Sequence, residues 1–161
     1  MNFELTSNQL SAQKIARDFA EKTLSKDILA RDASGEFPRE LYDEMGRMGL
    51  IGLPYPVEMG GQGGDYLSYV PSLEEISKVD ASMGITYSVS TSLFCGVIMN
   101  SDLSIEKKAK FIRPVASGKA LGSFALTEPN AGSDAAGCKT IAVKDGDEWV
   151  INGSKCFITN G

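Results

Sequence analysis

Through roughly the first 120 residues the apolar positions return every three or four places, the period of a helix packed on one side. Thr6 with Gln9 forms a capping box, and Leu10, Ile15, Phe19 and Leu24 follow as one stripe. This predicts a helix that continues through Ile28 and Leu29 to near Gly35. Pro38 in "GEFPRELYDEMGRMG" suits a first helical turn, Leu41, Met45 and Met48 supply the inward face, and Gly49 ends it. "LIGLPYPVEMGGQGG" (50–64) reads as a loop. A helix over 66–79 carries Leu67, Val70, Leu73 and Ile76. In the next, over 81–99, Met83, Ile85, Tyr87, Val89, Leu93, Phe94 and Val97 spread around the axis, so burial on most sides is expected. Ser104, with Lys107 and Lys108 after it, opens a last amphipathic helix whose inward stripe is Ile105, Ala109 and Ile112. Pro114 bends it or lies near its end, and Lys107, Lys108 and Lys110 form its solvated face.

After Gly118 the period drops to two. Gly122, Phe124 and Leu126 share one parity and predict a strand, and Ile141 and Val143 predict a second. Asp145-Gly146 is a two-residue hairpin signal with a third strand over 147–151, and Asn152-Gly153 is another turn leading into "SKCFIT". The fold class expected is α+β: an all-α helical domain over 1–120, then over 121–161 the start of an antiparallel β-barrel or sandwich-type middle domain. The last two residues, Asn160-Gly161, are themselves a hairpin signal with no returning strand. An open sheet edge is a pairing liability, so the expectation is a piece of a longer protein or a sheet completed by another chain, truncation being favoured.

Composition narrows the chemistry. The 161 residues carry a net charge of −5 and no long basic run, which argues against a nucleic-acid or anionic-membrane surface. The apolar stretches read as shorter than a bilayer span, and residues 1–20 lack the charged start and continuous apolar run of a signal peptide, so a cytoplasmic location is expected. There is no histidine, which removes serine–histidine triads, histidine bases and histidine metal ligands together. Cys95, Cys138 and Cys156 are too far apart for a Cys-x-x-Cys motif, and their odd number suits a reducing compartment. No metal site is expected. Chemistry has to come from a bound cofactor or from chain beyond this one.

Two stretches are candidates to hold such a cofactor. In "ALTEPNAGSDAAG" (125–137), Thr127-Glu128-Pro129 turns the chain, and Ala131-Gly132-Ser133 lets a ligand approach the backbone without side-chain interference. Successive amides there can form a nest for carbonyls or phosphates. Thr127 and Ser133 add hydroxyls, and Asp134 can cap the turn. The same composition also describes a decorated surface loop. In "KCFITNG", an extended strand places Phe157 and Thr159 on one face, an aromatic wall beside a hydroxyl, although an ordinary strand reads the same way. Glu128 and Asp134 read as a solvated acid and a cap, not as a catalytic pair. "GGQGG" (60–64) fails the spacing of dinucleotide and phosphate loops.

Together these segments carry a resemblance. "ALTEPNAGSDAAG" resembles the first signature of the acyl-CoA dehydrogenase family across its T-E-P-x-A-G-S-D core, "INGSKCFITNG" is similar to its companion segment, and the likeness extends over the whole chain. It implies an N-terminal helical domain, a middle β-domain and a C-terminal helical bundle, the last of which this sequence does not include. It implies FAD as cofactor, contacted by the positions Phe124, Ala125, Leu126, Thr127, Glu128, Pro129, Asn130, Ala131, Gly132 and Ser133, and by Phe157, Ile158 and Thr159. Thr127 would meet the pyrimidine end of the isoalloxazine, Thr159 would lie beside N5, and Ser133 would touch the phosphate region or the acyl-CoA substrate. Many relatives carry Trp where this chain has Phe157, so the wall is kept and an indole donor is lost. The resemblance further implies α,β-dehydrogenation of an acyl-CoA thioester, electron-transfer flavoprotein as partner, and a homotetramer. "FITNG" and "EISKVDAS" lean towards butyryl-CoA-type, short-chain members. The family's catalytic glutamate matches no residue here, so no catalytic residue is assigned and the piece alone is expected to be inactive. The alternatives are a non-catalytic interaction module that kept the fold, and an acyl-CoA oxidase of the same superfamily.

Overall fold

The computed structural model describes residues 4–161, so the first three residues of the stretch read for a leader lie outside the described residues. Contacts divide the chain into a helical unit ending at Gly122 and a second unit, Ser123–Gly161.

Helix α1 (Ser7–Phe19) opens on the expected capping box, with both reciprocal bonds between Thr6 and Gln9 present. It passes into a π-helical turn, Ala20–Leu24, and then stops. The expected continuation to Gly35 is broken at Asp27, which takes a left-handed conformation (φ 56°), before α2 (Ile28–Ser34) starts afresh. The reason is a tertiary clamp. The Arg31 guanidinium lies 2.7 Å from the Leu24 carbonyl, also reaches the Lys26 carbonyl, and pairs with Asp80 at 3.0 Å. It thus satisfies carbonyls left free where the helix ends. Helix α3 (Arg39–Arg47) begins one residue after Pro38, and Gly49 follows it with φ 78°.

Helix α4 (Tyr66–Val79) matches the expected span, but the inward faces expected of α1 and α4 are met only in part. Leu10, Ile15, Leu67 and Val70 are exposed, whereas Phe19, Leu24 and Ile76 are buried as expected, and the small residues Ala12, Ala16, Ser68 and Ser72 are buried on these two neighbouring helices as well. Small residues let the two backbones approach, and polar pairs join their edges. Gln9 donates to Asp65 at 3.0 Å, and Gln13 and Arg17 donate to Glu75 Oε1 at 2.8 and 2.9 Å.

Helix α5 (Ala81–Ser88), a π-helical stretch (Val89–Cys95) and α6 (Gly96–Met99) run on as one rod. Its 19 residues are long and apolar enough to cross a membrane by length and composition, which corrects the expectation of shorter apolar stretches. Half of it is buried in the fold: Met83, Tyr87, Val89 and Cys95 point inward, while Ile85, Leu93 and Val97 stay exposed. The loop over 50–64 is locked onto this rod. Tyr87 donates to the Leu50 carbonyl at 2.8 Å, Thr91 Oγ1 to the Ile51 carbonyl at 2.9 Å, and Tyr55 to the Thr91 carbonyl. Helix α7 (Ile105–Ala116), capped by Ser104, buries Ala109 and Ile112 and leaves Ile105 outside.

In the second unit β1 (Ile141–Asp145) and β2 (Glu148–Asn152) pair antiparallel, Val143 opposite Val150. The two-residue loop is Gly146-Asp147, one place later than expected, with positive φ (60°) at Gly146 alone, the position where a II′ turn requires glycine. Both strands are exposed along their whole length. The strand expected through Gly122, Phe124 and Leu126 is not regular, and neither is the one expected in "SKCFIT".

Candidate functional site

The loop at 127–134 folds on a tight turn. Glu128 and Ala131 exchange both backbone bonds, at 2.8 and 3.1 Å, and both residues are buried. Pro129 and Asn130 cross the top, and Gly132, Ser133 and Asp134 follow exposed to solvent. A Cβ placed on Gly132 meets nothing within 4 Å, so the backbone there is open to an incoming group. Asp134 does not cap with its side chain; its carbonyl accepts from the Gly137 amide at 3.0 Å. A short 3-10 turn, Ala135–Gly137, takes the place of that cap.

Glu128 is not the solvated acid that composition suggested. It is 8% exposed, and every bond to its carboxylate comes from a donor. Oε2 accepts from the Lys139 amide at 2.6 Å, and Oε1 accepts from the Thr140 amide and Lys155 Nζ, both at 2.9 Å. The Lys155 ammonium first, and the two amides with it, hold this carboxyl well below the usual carboxylate range. A group held so firmly ionised is an anchor, and it offers no proton for acid–base work.

The two candidate stretches lie side by side. The Cys156 amide donates to the Thr127 carbonyl at 2.9 Å, Lys155 Nζ to the Leu126 carbonyl at 2.8 Å, and Ser123 Oγ to the Thr159 carbonyl at 2.8 Å. Phe124, Thr127, Ile158 and Thr159 are half-buried along this contact, while Ala125 and Leu126 are exposed. The parity argument that set Phe157 and Thr159 on one face of a strand is overturned. Phe157 has φ 56°, which reverses the alternation, and its ring is 91% exposed. A bulky residue in the left-handed region is a costly conformation that persists where the surroundings over-determine it, typically at ligand sites.

Sequence reasoning missed Lys155. Its importance comes from pairing across 27 positions with Glu128, and no local signal announces that.

Comparison with known proteins decides the family. The profile described as "Acyl-CoA dehydrogenase, N-terminal domain" matches residues 6–119, and "Acyl-CoA dehydrogenase, middle domain" matches residues 123–161. The chain belongs to the acyl-CoA dehydrogenase family. Among solved structures, butyryl-CoA dehydrogenase from Megasphaera elsdenii is 44% identical with a TM-score of 0.93, over 100% of this chain and 43% of that one. A glutaryl-CoA dehydrogenase from Mycobacterium smegmatis in complex with FADH2 is 32% identical with a TM-score of 0.88, over 97% of this chain and 40% of that one. Among curated relatives, the caffeyl-CoA reductase-Etf complex subunit CarC of Acetobacterium woodii is 45% identical over 148 residues, 91% of this chain and 39% of the relative. The chain spans about two fifths of the length of the curated relatives it matches first. The fold class expected for these acyl-CoA dehydrogenases, a helical domain followed by antiparallel β-structure, is the one observed.

Proposed function

We propose that this chain forms the amino-terminal helical unit and part of the middle β-domain of an FAD-dependent acyl-CoA dehydrogenase acting on short acyl chains. The observation that carries the reading is the docking of residues 126–128 against 155–156, which joins the two family segments into one surface. The backbone at Gly132 is open and the Phe157 ring is exposed, so both are accessible to a ligand. These residues fit a flavin: amides and hydroxyls for its carbonyls and phosphates, and an aromatic ring for its planar face.

In this proposal the run Phe124–Ser133 and the segment Phe157, Ile158 and Thr159 form the cofactor wall. Thr127 bonds the pyrimidine end of the isoalloxazine, Thr159 lies beside N5, and Ser133 bonds the phosphate region or the acyl-CoA. When bound, FAD supplies the two-electron redox chemistry of the α,β-dehydrogenation. This chain's residues orient it and shield one side from water; a base on another part of the full-length protein takes the α-proton. The 161-residue chain alone therefore does not turn over acyl-CoA, and measured turnover by the purified chain would refute this. The likeness to butyryl-CoA dehydrogenase supports the short-chain assignment, and the likeness to CarC supports electron-transfer flavoprotein as electron acceptor. A homotetramer in the cytoplasm completes the proposal; the three free cysteines are in keeping with a reducing compartment.

The test is a full-length preparation titrated with butyryl-CoA under anaerobic conditions. A flavin absorbance band that bleaches with substrate, and returns when electron-transfer flavoprotein is added, is the expected result. A colourless protein rules out the flavin reading. Rapid reoxidation of the bleached flavin by dioxygen alone favours an oxidase.

A further inference from the structure

Leu126, Thr127 and Glu128 are three consecutive residues gripped by two consecutive residues. Lys155 Nζ holds the Leu126 carbonyl (2.8 Å) and Glu128 Oε1 (2.9 Å), on either side of Thr127, while the Cys156 amide takes the carbonyl of Thr127 itself (2.9 Å). Two of these ties hold backbone carbonyls and the third a side chain, so the backbone on both sides of Thr127 is fixed, and with it the direction in which its side chain leaves the chain. The next residue after the grip, Phe157, is the one forced to φ 56°. On its far side the Thr159 carbonyl is held by Ser123 Oγ. The strained residue is thus pinned from both flanks, which is what a left-handed conformation at a bulky side chain needs.

We propose that Glu128 and Lys155 are positioning residues for the cofactor surface, acting through the orientation of Thr127 and the left-handed turn at Phe157. This rests on the flavin reading above. Lys155 lies outside the cofactor wall, and Glu128, which belongs to that run through its backbone, keeps its carboxylate turned to Lys139, Thr140 and Lys155, where all its bonds go. The pairing also explains why a glutamate is used. The three groups that contact its oxygens are all donors, so a glutamine would have to turn its NH2 towards an N–H or an ammonium.

The test is a double-substitution cycle on FAD affinity in the full-length protein, with wild type, Thr127→Val, Lys155→Met and the pair. Thr127→Val removes one ligand hydrogen bond and is expected to weaken FAD binding about tenfold; Lys155→Met is expected to do the same. If Lys155 acts through Thr127, adding Thr127→Val to Lys155→Met weakens binding by less than about twofold more, because the bond is already misplaced. Lys155→Arg, which keeps the charge and can donate to both the Leu126 carbonyl and Glu128, restores affinity to within about twofold of wild type. An additive loss near a hundredfold overturns the proposal, as does a Lys155→Met protein that melts lower yet binds FAD like wild type, since that outcome is merely structural. If Lys155→Met does not accumulate as folded protein, Lys155→Gln, which keeps a donor without the charge, runs the same cycle with at least threefold coupling expected. A wild-type protein that binds no FAD overturns the flavin reading and this proposal with it; FAD uptake with independent effects overturns the proposal alone.

Discussion

Gly132→Ala separates the fold from the ligand at a single position. In the free chain a methyl there meets nothing within 4 Å, and the backbone does not have the positive φ that a side chain resists. Alanine also narrows the unfolded ensemble, so the substitution is expected to leave stability unchanged or raise it by up to about 1 kcal/mol. For a chain of 161 residues that is an increase in Tm of at most about 4 °C, and less in the longer full-length protein. With a ligand laid on the loop the same methyl occupies its volume. Overpacking of this kind costs about 1–3 kcal/mol, which is roughly a 5- to 150-fold loss of affinity. The two observables thus move in opposite directions, which an ordinary destabilising variant does not reproduce. The assay is a thermal melt of the apoprotein beside an FAD titration followed by flavin fluorescence, both on the full-length protein. FAD affinity within twofold of wild type refutes the close approach of the ligand to this backbone. A stability loss above about 1 kcal/mol refutes the open space around Gly132.

Gly46→Ala should act in the reverse sense: a Cβ there comes within 2.3 Å of the Gly118 backbone nitrogen, and backbone cannot rotate aside. Overpacking at about 3 kcal/mol, against about 1 regained in helix propensity, leaves a net loss near 2 kcal/mol in denaturant unfolding, and an unchanged midpoint would contradict it. Glu75, which accepts from Arg17 and Gln13 across the α1–α4 contact, has its pKa lowered to about 2, chiefly by the Arg17 hydrogen bond. A depressed carboxylate contributes stability above its unfolded value near 4.5 and loses it as pH falls through about 2. The Arg17 side chain is nearly half exposed, so solvent screening holds the contribution to about 1 kcal/mol. The stability gap between wild type and Glu75→Gln should therefore be full at pH 6 and close on acidification to pH 2; a gap that stays constant would show that the pair contributes no charge-dependent stability.

The helices were legible because a 3.6-residue period survives whatever the helix packs against. Which side faces inward was less so. Leu10, Leu67 and Val70 lie exposed while the small residues Ala12, Ala16, Ser68 and Ser72 are buried, because close approach of two packed helices favours small residues over large apolar ones. The break at Asp27 was hidden for a different reason: it depends on Arg31 finding the Leu24 carbonyl and Asp80, a contact between distant parts of the chain.

The same distinction runs through the candidate site. The loop at 127–133 was readable from its own residues, since proline, glycine and small side chains dictate a turn and an open backbone wherever they occur. The neighbouring segment was singled out on a geometry that the structure does not show. Strand parity put Phe157 beside Thr159, but Phe157 is left-handed, and what brings the segment to the loop is the Lys155–Glu128 pair and the Cys156–Thr127 bond. Parity assumes that backbone bonds to a neighbouring strand set the geometry. Here a half-buried ion pair sets it, and such a pair holds only when both charges and their remaining bonding sites are satisfied together. That condition involves residues 126, 128, 139, 140 and 155 at once, so no window of sequence narrower than the whole second unit contains it.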